Sequence, residues 1–142
     1  MEHEALDRVK YRILEHTADA MVEVYGKSLG ELFANAAYAM FDQITDVKKV
    51  RSKGELRIKL SAESREQLLV DYLQELLYVH DTDDLVLGEF EVVTDGRELE
   101  SVVRGEKFDE RRHPKRSVVK GATYHSLKFD EENGRLTILF DV

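Results

Sequence analysis

The stretch SLGELFANAAYAMFDQI, residues 28–44, carries the strongest structural signal in the chain. Leu29, Leu32, Phe33, Ala36, Ala37, Met40, Phe41 and Ile44 recur at helical spacing and make one apolar stripe. The segment therefore reads as a helix buried on one face. Ser28 and Glu31 form a capping box at its start, each side chain placed to satisfy an orphan backbone amide. A second helix is expected from about Ser64 to His80. There Leu68, Leu69, Tyr72, Leu73, Leu76 and Leu77 share a side, and Ser64 with Gln67 repeats the capping pattern.

Around these helices the period drops to two, the signature of half-buried strands. Tyr11–His16 and Met21–Tyr25 read as strands on either side of the short turn His16-Thr17-Ala18-Asp19, and Leu56, Ile58 and Leu60 mark a third. Leu85–Thr94 and Arg97–Arg104 flank Asp95-Gly96, a two-residue hairpin signal. A charged loop runs from Lys107 to Arg116, and a last hairpin joins Ala122–Phe129 to Arg135–Val142 across Asn133-Gly134. The acidic run His80-Asp81-Thr82-Asp83-Asp84 lacks the glycine and bidentate glutamate of a calcium-binding helix–loop–helix, so it reads as a helix terminus and turn. Two helices packed on a largely antiparallel (mixed) β-sheet, an α+β fold, is the architecture these elements predict. With no internal repeat, no low-complexity tract and one proline, Pro114, residues 1–142 read as a single domain.

The last hairpin carries a geometric expectation. A type I′ turn at Asn133-Gly134 puts Glu132 opposite Arg135, Phe129 opposite Ile138 and Leu127 opposite Phe140. It then sets Asp141 opposite Ser126 and Val142 opposite His125, with His125 on the apolar side. A longer loop through Glu131 shifts all of these pairs.

Composition narrows the chemistry. Of the 142 residues, 42% are hydrophobic and 35% charged, and the net charge is −8. Proteins that grip phosphate backbones usually carry the opposite sign, so strong direct nucleic-acid binding is not expected. An acidic surface suits metal ions and basic protein partners. There is no cysteine, which excludes disulfides, thiolate nucleophiles and thiolate-held zinc or iron–sulfur clusters. No apolar run is long enough to span a bilayer and no signal peptide is visible, so a cytoplasmic location without membrane partners is expected. Glycine-rich phosphate loops, nucleophile elbows and paired-histidine zinc motifs are all missing.

The candidate functional residues are few. Asp141 precedes Val142, whose α-carboxylate is a second anion; two such groups at a strand end repel unless a cation intervenes. Oxygen ligands of this kind suit calcium, magnesium or manganese. Asp19 sits in a short turn, where aspartate commonly bonds its own backbone, and gains interest only if the fold brings it beside Asp141. His16 is a possible ligand or base, and His113 and His125 read as structural. Lys120 could neutralise a carboxylate cluster or meet a phosphate. Arg111, Arg112, Lys115 and Arg116 form a basic patch mixed with Asp109 and Glu110, which reads as a solvated loop.

Taken in order, Glu15-His16-Thr17-Ala18-Asp19, the helix Ser28–Ile44, Leu76-Leu77-Tyr78-Val79-His80-Asp81, His113-Pro114, Val119-Lys120-Gly121-Ala122-Thr123-Tyr124-His125 and Phe140-Asp141-Val142 resemble the archease family nearly end to end. Two departures are visible: Gly121-Ala122 stands where the family usually has Ala-Ile, and Ala20 replaces a larger aliphatic residue. The resemblance implies the archease fold and a non-catalytic accessory factor for the GTP-dependent RNA ligase of tRNA splicing and RNA repair, promoting its guanylylation and multiple turnover. It implies that Asp19, Asp141 and the Val142 carboxylate hold a divalent ion, calcium in the family, with magnesium or manganese as alternatives. Lys120 would be a functional residue of that tip, with Glu15 and His16 as second-rank candidates. A chaperone for a tRNA methyltransferase is the other role the resemblance implies. From the residues alone, a free-standing metal-dependent phosphoester hydrolase using Asp19 and Asp141 is the rival, weakened by the missing nucleophile or oriented base.

Overall fold

The computed structural model describes residues 9–16 and 19–142; Thr17, Ala18 and the side chains of Glu15 and His16 lie outside the described residues. The elements run β1 (Tyr11–His16), β2 (Asp19–Tyr25), α1 (Leu29–Ile44), β3 (Gly54–Ser61), α2 (Arg65–Asp83), β4 (Leu85–Thr94), β5 (Glu98–Lys107), β6 (Gly121–Asp130) and β7 (Arg135–Asp141). Among the described residues the strands form two sheets, ordered β1-β2-β7-β6 and β3-β5-β4, and every pairing is antiparallel. Helix α1 packs against β4 of one sheet and β2 of the other, while α2 lies chiefly along β6. The expected α+β arrangement of two helices on antiparallel strands is present, with both sheets sharing one helical layer.

Each helix starts where its cap predicts. Ser28 Oγ accepts the Glu31 amide at 3.1 Å, while the Glu31 carboxylate reaches past Ser28 to the Lys27 amide at 3.2 Å. Ser64 Oγ accepts the Gln67 amide at 3.1 Å, but the Gln67 side chain turns down its helix to Asp71 at 2.9 Å, so only half of that box forms. Helix α2 continues past His80 to Asp83 and closes on Asp84, a left-handed residue (φ 56°) whose N–H donates to His80 O. The acidic run is thus a helix end and turn.

The apolar stripes meet in one core. Phe33 lies between Tyr72 (ring centroids 6.4 Å) and Phe129 (6.3 Å), and Phe41 packs on Phe90 at 5.8 Å. Ala20, Val22 and Val24 of β2 and Leu136, Ile138 and Phe140 of β7 close the core from the sheet side. Burial of each large side chain contributes on the order of 1.5–3 kcal/mol. Gly30 lets α1 approach β4 this closely, since a Cβ there would stand 2.4 Å from Val92 O.

Both hairpin turns are longer than two residues. Thr94 pairs with Leu99, and Asp95 Oδ1 accepts the Arg97 and Glu98 amides at 2.8 and 2.9 Å, so Asp95 organises the turn through its side chain. In the last hairpin Glu131–Asn133 form a 3-10 turn closed by Gly134 (φ 65°), and Asp130 pairs with Arg135. Phe129 therefore faces Leu136, and not Ile138. A second shift follows, because β6 bulges between Thr123 and Lys128 with Ser126 in the left-handed region (φ 65°). Asp141 consequently lies opposite Gly121, where a type I′ turn would have put Ser126. Out of the ladder, His125 is exposed rather than on the apolar side.

Candidate carboxylate site

The β2–β7 ladder ends in the pair Asp19↔Asp141, immediately beyond Ala20↔Phe140. Ala20 and Phe140 are fully buried, so strand alternation turns Asp19 and Asp141 to the opposite face, away from the helices. The sequence offered each aspartate separately; the fold makes them cross-strand neighbours. Directly opposed side chains in an antiparallel pair have Cβ atoms about 4.5–5.5 Å apart, and like charges there are destabilising. Asp19 is half-buried and Asp141 exposed. Carboxylates placed opposite each other in this way repel, and a cation between them would relieve the repulsion.

The third strand fixes the site's other side. Gly121 of β6 pairs with Asp141, and the Lys120 amide donates to Asp141 O at 2.6 Å. Lys120 thus enters the site through its backbone as well as by proximity in sequence, and its side chain is exposed. Val142, one residue on, packs its side chain against the core, which fixes its main chain next to Asp141. Glu15 and His16 lie outside the described residues as side chains, although their backbones pair with Met21 and Ala20 at this end of β1. Among the described residues no three His, Cys, Asp or Glu side chains converge as a metal cluster. The set present is two side-chain carboxylates with the main-chain oxygen of Val142 beside them. All are hard oxygen donors, which fits a calcium- or magnesium-like ion whose remaining positions are filled by water or by a partner.

Other groups that drew attention in the sequence are accounted for elsewhere. His113 is 1% exposed and its Nε2 donates to Glu106 Oε2 at 2.8 Å, while its Nδ1 accepts the Asp109 amide at 2.8 Å. Glu106, which sequence reasoning passed over, also accepts the Arg51 amide at 2.8 Å and pairs with Arg112. Burial would raise its pKa, but the hydrogen bonds from Arg112, the Arg51 amide and His113 outweigh that and hold the carboxyl down at about 2. The signal available was a glutamate next to Gly105 in an otherwise alternating strand, too weak to separate from an exposed one. Within the basic loop, Arg112 is committed to Glu106, Arg116 to Asp42 and Lys115 to Glu110. The patch is largely neutralised within the protein, in keeping with a solvated loop. A cleft of about 820 Å3 lies at the far end of the same ladder, lined by Tyr25, Gly26, Gly134 and Arg135, and takes no part in the carboxylate site.

The comparisons with known proteins agree with this architecture. The model of the "Archease protein family (MTH1598/TM1083)" matches residues 11–142. The protein archease of Pyrococcus furiosus is 41% identical over 120 residues, covering 82% of this chain and 84% of that protein. That of Sulfurisphaera tokodaii is 36% identical over 135 residues, 94% of this chain and 97% of its own length. The solution structure of Methanobacterium thermoautotrophicum protein 1598 superimposes with a TM-score of 0.77 at 34% identity, over 94% of this chain and 99% of that one. No described helix is long and apolar enough to cross a membrane. With the family model spanning nearly the whole chain and a solved relative sharing the fold, the chain belongs to the archease family.

Proposed function

We propose that this protein is a non-catalytic accessory factor that activates the GTP-dependent RNA ligase of tRNA splicing and RNA repair, presenting a carboxylate tip to it. The observation that carries the reading is the cross-strand pair Asp19↔Asp141, with Val142 adjoining. Membership of the archease family supports an accessory role. Asp19, Asp141 and the Val142 carboxylate would hold a divalent ion, calcium in the first instance, which supplies positive charge against phosphate oxygens when bound. This chain's own residues do the positioning. The two strands hold the carboxylates at a rigid sheet end, the Lys120–Asp141 backbone bond fixes the β6 side, and the Lys120 ammonium offers a charge for a phosphate. The tip would assist the ligase during guanylylation and so permit repeated turnover.

The test is multiple-turnover RNA ligation with the cognate ligase, GTP and a divalent metal, adding this protein in substoichiometric amounts. Wild type should restore turnover, and Asp141→Ala, folded by circular dichroism, should not. Stimulation by both proteins alike would remove the tip from the mechanism. Stimulation by neither would turn attention to a methyltransferase-chaperone role, and phosphoester turnover by the isolated protein to the hydrolase reading.

A further inference from the structure

Isolated exposed apolar side chains are ordinary on a protein surface. Here Tyr78, Tyr124 and Val118 belong to α2, β6 and the chain just before β6, and Gly121 at the start of β6 pairs with Asp141. Tyr124 is 50% exposed on β6 and lies beside Gln67 and Asp71 of α2. One turn further along α2, Gln74 lies against Gly121 and its amide donates to Ala122 O at 3.5 Å. Another turn brings Tyr78, 63% exposed, onto the same helix face. The chain just before β6 exposes Lys120 and Val118, the latter 76% exposed. Strand β6 is also the edge of its sheet among the described residues, with no strand on its outer side.

On its α2 side the ridge is acidic, while the β6 side carries the exposed Lys120 and Lys128. From Glu66 to Gly96 the sequence contains no lysine or arginine. Asp71, Glu75 and Asp81 fringe Tyr78 on the outward face of α2, and no ion pair to any of them occurs among the described residues. RNA would be repelled by such a fringe. A protein surface carrying lysines and arginines around an apolar pocket would be attracted to it, with a tyrosine as anchor.

We propose that the outer face of α2 with the β6 edge is a docking ridge for a basic protein surface, with Tyr78 as its anchor and Asp71, Glu75 and Asp81 as its electrostatic fringe. The proposal rests on the accessory-factor reading: α2 meets β6 at Gly121, the strand partner of Asp141, so the protein that receives the tip reaches round this sheet edge to the ridge, and the occupant is the ligase. The ridge supplies affinity and orientation, the tip supplies the stimulation.

The experiment measures two quantities for the full-length chain and the cognate ligase: Kd by calorimetry at low and high salt, and maximal stimulation of ligation at saturating protein. Tyr78→Ala and Glu75→Lys should each raise Kd about tenfold or more, a hot-spot-sized loss. Both should also raise the concentration for half-maximal stimulation while leaving the maximum intact. Glu75→Lys should flatten the salt dependence as well. Val93→Ala, an exposed apolar residue on β4 away from the ridge, should change neither quantity. Since all three positions are exposed, an unchanged melting temperature certifies the fold. Wild-type Kd for both ridge variants, with stimulation lost in Asp141→Ala, would overturn the ridge and leave the accessory reading standing. No binding and no stimulation by wild type would overturn both together.

Discussion

His113 and Glu106 hold each other in the interior, Nε2 to Oε2 at 2.8 Å, at the point where the loop after β5 folds back over the chain preceding β3. Glu106 is 6% exposed and has a depressed carboxyl, about 2 against the usual 4.5. A group whose folded pKa lies below its unfolded value contributes stability above the unfolded pKa and loses it as pH falls through the folded one. The protein should therefore lose stability progressively from about pH 4.5 towards pH 2, beyond what its exposed carboxylates cause. Glu106→Gln should flatten that acid limb. At neutral pH it should cost about 3 kcal/mol, because Arg112 and His113 keep their donors and lose a charged acceptor. Urea unfolding at pH 7 and pH 3.5 checks both, and an acid limb equally steep in the variant would count against the assignment.

Two left-handed positions make opposite predictions. Asp84 closes α2 at φ 56°, where a side chain bearing a Cβ is strained. Asp84→Gly should raise stability by about 0.5–1 kcal/mol, or a few degrees in Tm. Gly134 sits at φ 65° with Gly26 O only 2.6 Å from where a Cβ would stand. Gly134→Ala should cost more than about 1 kcal/mol, since steric conflict with a backbone carbonyl adds to the conformational cost. Thermal unfolding of the two variants side by side tests the pair, and a shared direction of change would contradict the backbone argument.

Phe140 offers a third test, one that links the core to the tip. It is fully buried next to Asp141 and pairs with Ala20, the neighbour of Asp19. Phe140→Ala should cost about 3–5 kcal/mol through the cavity it leaves. Phe140→Leu should cost less and keep the strand register. On the metal-tip reading proposed above, a retained register means that Phe140→Leu should bind calcium as wild type does in calorimetry, and loss of binding in a variant that keeps its fold would count against the dependence on register.

What could be read in the sequence follows from how far each signal reaches. The stripe Leu29–Ile44 and the cap at Ser28 are local, and the helix begins where the cap puts it. Asn133-Gly134 is local too, yet its turn was open to more than one solution. The 3-10 turn at Glu131–Asn133 and the bulge around Ser126 moved the partner of Asp141 from Ser126 to Gly121. The apposition of Asp19 with Asp141 spans nearly the whole chain, and neither residue carries a pattern that announces the other. Glu106 shows the same limit, since its partners come from the segments holding Arg51, Arg112 and His113. A division into two sheets depends on which side of the helical layer each strand covers, which alternation within a strand does not encode.

Opposed aspartates at the end of the β2–β7 ladder give the fourth prediction a sign that a purely structural pair would not have. In the absence of divalent ions, removing one of two facing carboxylates relieves repulsion. Asp19→Asn in EDTA should therefore be more stable than wild type by about 0.2–1 kcal/mol. Asp141→Asn should behave likewise, and the double variant should gain less than the sum, because the first substitution already ends the repulsion. On the metal-tip reading proposed above, calcium should reverse the order. An ion that binds only the folded protein stabilises it by about 2.7 kcal/mol at a hundred times its Kd. The wild-type melting temperature should therefore rise with calcium and overtake those of the variants, which lack one or both of the paired carboxylates. Melting curves of the four proteins in EDTA and in millimolar calcium decide the matter. Equal melting temperatures in EDTA would mean that the two side chains diverge into solvent, and equal calcium shifts would place any bound ion elsewhere.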